Sequence, residues 1–582
     1  MAVADWFLSP GERENPHSVI DVAHPPGQAW TTGNAVRALV HGRPYFEELH
    51  ARVCELGPGD RLYFTDWRGD PDEQLTDDAD ETLTATLTAA ARRGVDVRGL
   101  LWRSHWRHFG FQSDKARFLG EDIGEAGGEC LRDMRVRTGG AHHQKLVVLR
   151  HLGHPERDIA YVGGIDLCHS RRDDASHHGD RQALPIAAAY GPTPAWHDVQ
   201  VAVTGPAVHD VETTFRERWE DSTPLTLNPG RIASSFLQRE DQTPDPLGDQ
   251  WPPPPPVEHG HAAVQVVRTY PKILPEGFDF APDGERSVVL ANVKAISRAR
   301  RFVYVEDQYF WSEEVGDHFA TALRENPDLR LAVVLPMIPD LDGYVGQKTM
   351  LYARRLAMAK VLEAGGDRVA FFGIVNDAGL PIYVHSKVCV IDGRWASVGS
   401  DNLNRRSWTS DSEVACLVVD ERAAGLGTDA GDVPDDAFPV RLVRELVAEH
   451  LGCADAEVPD DGHAVFEAMV SAAHALDAWF GRAEPEVARG LRSLPGRVLA
   501  QSRRTRGAGR RMTHARGAAA TAAGLAHERA GALGERPPGR LRPLALPELT
   551  AAQERIAAVA YAVFDPDGTV GRPEDLRTMA TP

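Results

Sequence analysis

The sequence predicts an α/β layered fold built from two similar lobes. Three observations carry that expectation. Strand-like and helix-like segments alternate, a short motif occurs twice in matching context, and a run of five prolines, Pro252 to Pro256, separates the two occurrences. Alternation of this kind is the pattern of sheets covered by helices, and a repeated supersecondary unit implies repeated architecture.

The 582 residues suffice for several domains, and 42% hydrophobic content with 25% charged residues is ordinary for a globular protein. Wholesale disorder is excluded, and so is a membrane-spanning run of 18 or more apolar residues. The start, Met1-Ala2-Val3-Ala4-Asp5-Trp6, lacks the basic-then-apolar pattern of a secretory leader. Lys plus Arg total 64 against 84 for Asp plus Glu, a formal charge of −20. That balance disfavours nucleic acid as a partner, because phosphate backbones are held by Lys and Arg. The six cysteines (Cys54, Cys130, Cys168, Cys389, Cys416, Cys453) form no CxxC pair, so neither a zinc knuckle nor a disulfide scaffold is expected. Reduced thiols and a cytoplasmic location are the expectation.

Along the chain we expect a first lobe over 1–245, a Pro-rich semi-rigid linker over 246–262, a second lobe over 263–455 and an Ala/Arg-rich region over 456–582. In the second lobe Phe302-Val303-Tyr304-Val305, Leu331-Ala332-Val333-Val334-Leu335 and Val369-Ala370-Phe371-Phe372 read as strands. Gln347 to Ala364 has helical spacing and stops at Gly365-Gly366. The last region is expected to be helical or partly disordered. Its arginine run from Arg497 to Arg516 contains no acid and reads either as a solvated tail or as a tether to anionic lipid.

The repeated motif opens with Gly140-Ala141-His142-His143-Gln144-Lys145-Leu146-Val147-Val148-Leu149, followed by Ile159-Ala160-Tyr161-Val162-Gly163-Gly164-Ile165-Asp166. Its second copy is Tyr383-Val384-His385-Ser386-Lys387-Val388-Cys389-Val390-Ile391-Asp392, then Trp395-Ala396-Ser397-Val398-Gly399-Ser400-Asp401-Asn402. Residues i and i+2 of a strand share a face, so His143 points with Lys145 and His385 with Lys387. One His-x-Lys reads as a satisfied structural histidine. Two copies in the same strand–turn–strand–small-pair context read as one site. The glycine pair suggests close backbone approach to a ligand.

These residues resemble the phospholipase D superfamily, whose motif is His-x-Lys-x4-Asp-x6-Gly-(Gly/Ser)-x-Asn. The second copy matches throughout: His385, Lys387, Asp392, Gly399, Ser400 and Asn402. Thr65 to Asp70, Trp196 to Val199 and Tyr304 to Phe310 resemble phospholipase D proper rather than nuclease members. The first copy departs twice. Arg150 stands where the motif Asp is expected, and the spacing counted back from Gly163 falls on Glu156, which implies an insertion containing His151-Leu152-Gly153-His154-Pro155. Asp166 replaces the motif Asn. Asp392-Gly393 is also a preferred hairpin turn, so Asp392 reads alternatively as a turn former on the strand face opposite His385.

The resemblance implies two α/β/α lobes with mixed sheets and an active site at their interface. It implies that His143 attacks phosphorus and becomes a phosphohistidine, while His385 exchanges the proton of the alcohol and then of water. Lys145 and Lys387, with Asn402, would stabilise the phosphoryl oxygens. Asp392 joins the expected catalytic set, as do Asp198 and Glu413, which by their position after each small-residue pair are the candidate carboxylates orienting the histidines. Gly163, Gly164, Asp166, Gly399, Ser400 and Asn402 complete the substrate-binding set. No cofactor or metal is expected: the lysines supply fixed positive charge, and His177-His178, His105 and His108 stay unassigned. The expected reaction is hydrolysis of a glycerophospholipid to phosphatidate and a head alcohol, with phosphatidyl transfer to alcohols as a side activity. The alternatives are a cardiolipin-synthase-like transferase and a degenerate phosphodiester-binding protein. Expected partners are the phospholipid and a membrane surface, the latter through Arg497 to Arg516. With two motifs in one chain, a monomer completes the site.

Overall fold

The computed structural model describes residues 2–104, 113–137, 139–226, 228–238, 240–273, 277–340, 344–423, 433–492 and 535–564. The arginine run from Arg497 to Arg516, His105 and His108 lie outside the described residues.

The first half supplies β1 (Thr31–Val40), β2 (Arg61–Asp66), β3 (Asp96–Trp102), β4 (Glu129–Asp133), β5 (Leu146–Arg150), β6 (Ile159–Gly163), β7 (Ala195–His197) and β8 (Val199–Thr204). The second half supplies β9 (Ala262–Tyr270), β10 (Glu285–Arg286), β11 (Phe302–Glu306), β12 (Arg330–Val334), β13 (Val369–Ile374), β14 (Ile382–Val384), β15 (Val388–Ile391), β16 (Trp395–Gly399) and β17 (Glu413–Asp420). β18 (Leu541–Pro543) comes from the last region. The main sheet runs β18-β13-β12-β11-β15-β16-β17-β9-β1-β8-β6-β5-β2-β3-β4. Read outward from the β9–β1 seam, the halves mirror each other. In each, three parallel strands at the rim join an antiparallel group, with β2, β3 and β4 answering β11, β12 and β13. The motif hairpins β5–β6 and β15–β16 occupy equivalent places. The sheet is therefore mixed and the lobes are pseudo-repeated, as expected. At the seam Asn34 Nδ2 donates to the Ala262 carbonyl at 3.0 Å, and Asn34 Oδ1 accepts from the Ala207 amide at 2.8 Å.

Both faces of the sheet are covered, which explains why the motif strands are apolar without interruption. Leu146 and Val148, and Val388 and Val390, enter one core that spans both lobes, with Phe215, Leu446 and Phe466 from its helices. Val147 and Leu149 face a separate core in the first lobe; Cys389 and Ile391 face its equivalent in the second. All six cysteines are unpaired. The Pro-rich segment straps the first lobe: the Pro252 carbonyl accepts from Arg150 at 2.7 Å, and the Arg61 guanidinium lies 4.1 Å over the Trp251 ring. Of the last region, the helix Gly462–Arg492, β18 and the helix Ala551–Phe564 are described. Leu541 of β18 is buried, at the edge beside β13.

Asp392 corrects one expectation. Counted with the catalytic set, it closes the β15–β16 turn instead, at a left-handed φ of 55°. Its carboxylate accepts the backbone amides of Arg300, Arg301 and Phe302, each at 2.9 Å, which fixes the entry of β11. In the first copy, residues 151–158 replace that turn. Asp158 accepts from the His151 amide at 2.6 Å and from Arg150 Nε at 2.7 Å, while Glu156 is exposed. Asp392→Ala is expected to lower unfolding free energy by about 2–3 kcal/mol, since hydrogen bonds to charged acceptors are the stronger kind. Urea unfolding with activity counted per folded molecule checks it. A large loss of activity at unchanged stability would return Asp392 to the catalytic set.

Candidate active site

The motif histidines are delivered by two short parallel pairings that cross between lobes. Residues 141–143 run beside Ser412: the Ser412 amide donates to the Ala141 carbonyl, and the His143 amide to the Ser412 carbonyl, both at 2.9 Å. In the other copy β14 runs parallel to β7, and the His385 amide donates to the His197 carbonyl at 2.8 Å. Each pairing ends one residue before a carboxylate. His143 Nδ1 therefore meets Glu413, at 3.1 and 2.9 Å from its two oxygens. His385 Nδ1 meets Asp198 Oδ2 at 2.6 Å. Asp198 and Glu413 were expected as orienting carboxylates, and each serves the histidine of the opposite lobe. With Nδ1 engaged, Nε2 is the nitrogen that each ring turns away from its carboxylate.

The lysines fold back on the same segments. Lys145 Nζ donates to the His143 carbonyl at 3.0 Å and lies 3.1 Å from Asp166 Oδ1. Lys387 Nζ donates to the His385 carbonyl and, at 3.2 Å, to Gln308 Oε1. Both lysines are buried. Burial pushes Lys387 down to about 8, against the pull of Asp198; the charge of Lys145 adds to the fall, so the two ammonium groups feel each other. His385 is held well below the usual imidazole range by burial first, then by Lys387 and Arg171. His143 is half-buried and keeps access to solvent.

The small residues have another task than the one expected. A Cβ on Gly164 would sit 2.1 Å from Asp198 Oδ1, one on Gly163 2.5 Å from the Val199 carbonyl oxygen, and one on Gly399 2.4 Å from the Ala415 Cβ. The space they clear is filled by the strands that carry the two carboxylates, not by ligand. Ser400 likewise donates its hydroxyl to Glu413. Asn402 stays available, its buried Oδ1 without a hydrogen-bond partner among the described residues.

Asp166 is held by Lys145 and by Arg171, whose Nε and Nη2 lie 3.1 and 2.8 Å from its Oδ2. Burial, then the charge of Asp166, keeps the neighbouring Asp66 carboxyl well above its usual range, so Asp66 is protonated beside an ionised Asp166. Arg171 in turn lies 4.2 Å over the Trp196 ring. Sequence reading missed Arg171 and the role of Asp66. The segment Thr65 to Asp70 was singled out, but nothing local ties it to residue 166.

Comparison with known proteins follows this geometry. The family model described as Phospholipase D matches residues 121–242, and the one described as Cardiolipin synthase, PLD-like domain, matches residues 293–427. Phospholipase D gamma 2 of Arabidopsis thaliana is 27% identical over 437 residues, 56% of this chain and 50% of that protein. Phospholipase D alpha 1 of Cynara cardunculus is 28% identical over 391 residues, 50% of this chain and 47% of that protein. The chain spans about half the length of these curated relatives. A solved phosphatidylserine synthase from Haemophilus influenzae aligns over 66% of this chain and 82% of its own, at 13% identity and a TM-score of 0.44. Each family model covers one His-x-Lys hairpin, and the hairpins meet through exchanged carboxylates: both halves of the chain are similar to the phospholipase D superfamily.

Proposed function

We propose that the chain is a phospholipase D that cleaves glycerophospholipids through a phosphohistidine. The observation that carries this reading is the pair of crossed histidine–carboxylate contacts flanked by two buried lysines. Glu413 takes the Nδ1 proton of His143 as a hydrogen bond, leaving the Nε2 lone pair to attack phosphorus. The bond to the head alcohol breaks as His385 passes its Nε2 proton to the leaving oxygen. His385 then takes a proton from water, whose oxygen displaces His143 and releases phosphatidate. Lys145, Lys387 and Asn402 surround the charge that develops on the phosphoryl oxygens. The depressed basicity of His385 suits this sequence. Burial and the nearby cations Lys387 and Arg171 hold the ring neutral; an arriving phosphodiester anion offsets the cationic part, so proton uptake follows substrate binding.

The test is labelled phosphatidylcholine with ethanol. Wild type is expected to give phosphatidate and phosphatidylethanol. His143→Ala and His385→Ala are each expected to lose at least about 10³-fold, as removal of a nucleophile or its proton partner does. Wild type given phosphatidyl-labelled substrate and quenched in alkaline detergent, where an N–P bond survives, should carry label on His143. If wild type forms neither product from any common phospholipid, the reading falls. The description of the second family model favours one further arm, phosphatidylglycerol as acceptor. Cardiolipin as the main product would make the chain a transferase.

Lys387 gives a pH prediction. Its ammonium loses its proton near pH 8, so kcat/KM should fall tenfold per unit above that value. Lys387→Arg keeps its charge above pH 12 and should lose the limb, whatever its absolute rate. A limb that persists in that variant belongs to another group.

We further infer a cytoplasmic protein that meets its substrate at a membrane surface. Among the described residues no helix is long and apolar enough to cross a bilayer. The helix Pro229–Gln238 leaves Phe236 and Leu237 84% and 80% exposed. It is tied by Arg231 to the Ser104 carbonyl and by Ser235 to Arg103, beyond the C-terminal end of β3. The neighbouring parallel strand β2 ends at Asp66, beside Asp166, so both belong to the active-site end of the sheet. Substituting Phe236 and Leu237 with Glu should reduce cosedimentation with phosphatidylcholine vesicles severalfold. Unchanged binding that disappears on deletion of residues 497–516 would assign the contact to the arginine run instead.

A further inference from the structure

Three histidines and a glutamate that the proposed chemistry does not use converge behind the Asp198–His385 pair. His41, His177, His197 and Glu449 each bring one ligand atom to within 4.8 Å of the others. His41 Nε2 lies 2.7 Å from Glu449 Oε2, His177 Nε2 2.8 Å from Oε1, and His197 Nδ1 3.5 Å from Oε1. The histidines are almost fully buried, and the ring of His41 meets those of His177 and His197 edge-on at 4.7 and 5.0 Å.

The contacts around the cluster fix which nitrogens face inward. His197 Nε2 lies 2.8 Å from Glu306 Oε2, and a carboxylate requires that nitrogen to carry the proton. The other nitrogen, Nδ1, is then the one that faces Glu449, 3.5 Å from Oε1, and it is buried without a hydrogen-bond partner. A second proton on that ring or a cation shared by the cluster would satisfy this atom, and only the shared cation engages all three inward nitrogens together. Protonating all three rings would instead crowd three imidazolium ions whose centroids are 4.7 to 5.8 Å apart. Glu306 is itself immobilised, accepting also from Tyr304 Oη at 2.6 Å and Ser386 Oγ at 2.7 Å, and lying 2.9 Å from His450 Nε2. Asp173 Oδ2 stands 3.7 Å from the outer nitrogen of His177. Inner nitrogens on a common point, with a carboxylate hydrogen-bonded behind His197 and another near His177, resemble the arrangement of metal-bound histidine. His41 and His177 also hold left-handed φ values of 71° and 53°, which histidine rarely adopts unless its surroundings dictate them.

We propose that His41, His177, His197 and Glu449 bind one divalent transition-metal ion, zinc by donor set, as a structural staple. Three imidazole nitrogens and one carboxylate oxygen make a closed four-coordinate set of the type zinc takes. Bonds of 2.0–2.1 Å at tetrahedral angles separate ligand atoms by about 3.3 Å, within the span of the contacts to Glu449. The ion would join the helix Phe438–Leu451, which carries Glu449, to three separate segments of the first lobe. It would also brace the catalytic machinery from behind. The His41 amide donates to the Asp198 carbonyl at 2.7 Å, and the His385 amide to the His197 carbonyl at 2.8 Å. The cluster offers no open position for substrate, so the ion positions Asp198 and takes no part in phosphoryl transfer.

The test uses the full chain purified without a metal-affinity tag, stripped with a chelator, reloaded with zinc sulfate, desalted and analysed by mass spectrometry for metals. Wild type is expected to retain about one zinc per chain and to regain the thermal midpoint lost on stripping. The double variant His41→Ala, His177→Ala should retain less than about a fifth of that. Glu449→Gln preserves volume and should also lose the ion, which covers the case in which the double variant does not fold. Cobalt in place of zinc should give the visible spectrum of a tetrahedral site in wild type alone. Wild type that retains no zinc after loading, or Glu449→Gln that retains as much as wild type, overturns the proposal. Neither outcome depends on whether the protein cleaves lipid.

Discussion

His143 and His385 each take their orienting carboxylate from the opposite lobe, and that exchange constrains much of the surrounding structure. A carboxylate can fix a ring only if the two backbones approach within a few ångströms. The approach is made by parallel pairing of residues 141–143 with Ser412 and of β14 with β7, outside the main sheet. Those pairings demand that the lobes meet in one relative orientation, which the β9–β1 seam and the shared core supply. They also demand that nothing project from Gly164 or Gly399, because the strands carrying Asp198 and Glu413 pass directly over them. Neither lobe alone holds an oriented histidine, so the reactive site is a property of the assembled chain.

The departures in the first motif copy become intelligible as charge compensation. Where the second copy has Asp392 gathering backbone amides, the first has Arg150, whose guanidinium is shared among Asp158, Glu212 and the Pro252 carbonyl. The turn is longer and is stabilised by different atoms, but β5 and β6 pair in the same way as β15 and β16. Asp166 puts a carboxylate beside Lys145 where Asn would be neutral. Left alone it would cancel the charge that Lys145 offers to phosphate. Arg171 restores it, for the trio of Lys145, Asp166 and Arg171 carries one net positive charge when Asp66 is protonated. A chain with formal charge −20 thus keeps a cationic pocket by pairing its buried acids one by one.

What was legible in the sequence was what short-range periodicity encodes. His143 with Lys145 and His385 with Lys387 share a strand face by a two-residue rule, and the apolar strands beside them fell at Phe302–Glu306, Arg330–Val334 and Val369–Ile374 as read. The helix after β12 is Tyr344–Gly365, close to the predicted stretch. The partners could not be read in the same way, because His143 and Glu413 are 270 positions apart and no local pattern links them. Their candidacy came from their place after each small-residue pair, which says that they are equivalent but not that they are exchanged. The glycines were assigned to ligand by the general rule that a missing side chain admits close approach. The rule held, and the approaching group was protein. Asp392 had two readings on the page, and three backbone amides decided for the turn.

The buried histidines mark the other boundary of legibility. Metal sites are recognised in sequences by ligands at short fixed spacing, which these four residues lack. His41 and Glu449 are 408 positions apart, yet their side chains lie 2.7 Å from each other. His41 sits where β1 turns into its helix, His177 in the loop between β6 and β7, and His197 at the end of β7; only the folded chain brings them to the helix that carries Glu449. The alternation of a strand gives the cluster its relation to the active site. His197 and Asp198 are consecutive, so one points to the buried carboxylates and the other to His385. Whatever holds His197 in place sets the peptide from which Asp198 reaches its histidine. In the proposed reaction, the placement of His385 for proton transfer therefore depends on a layer behind the pocket.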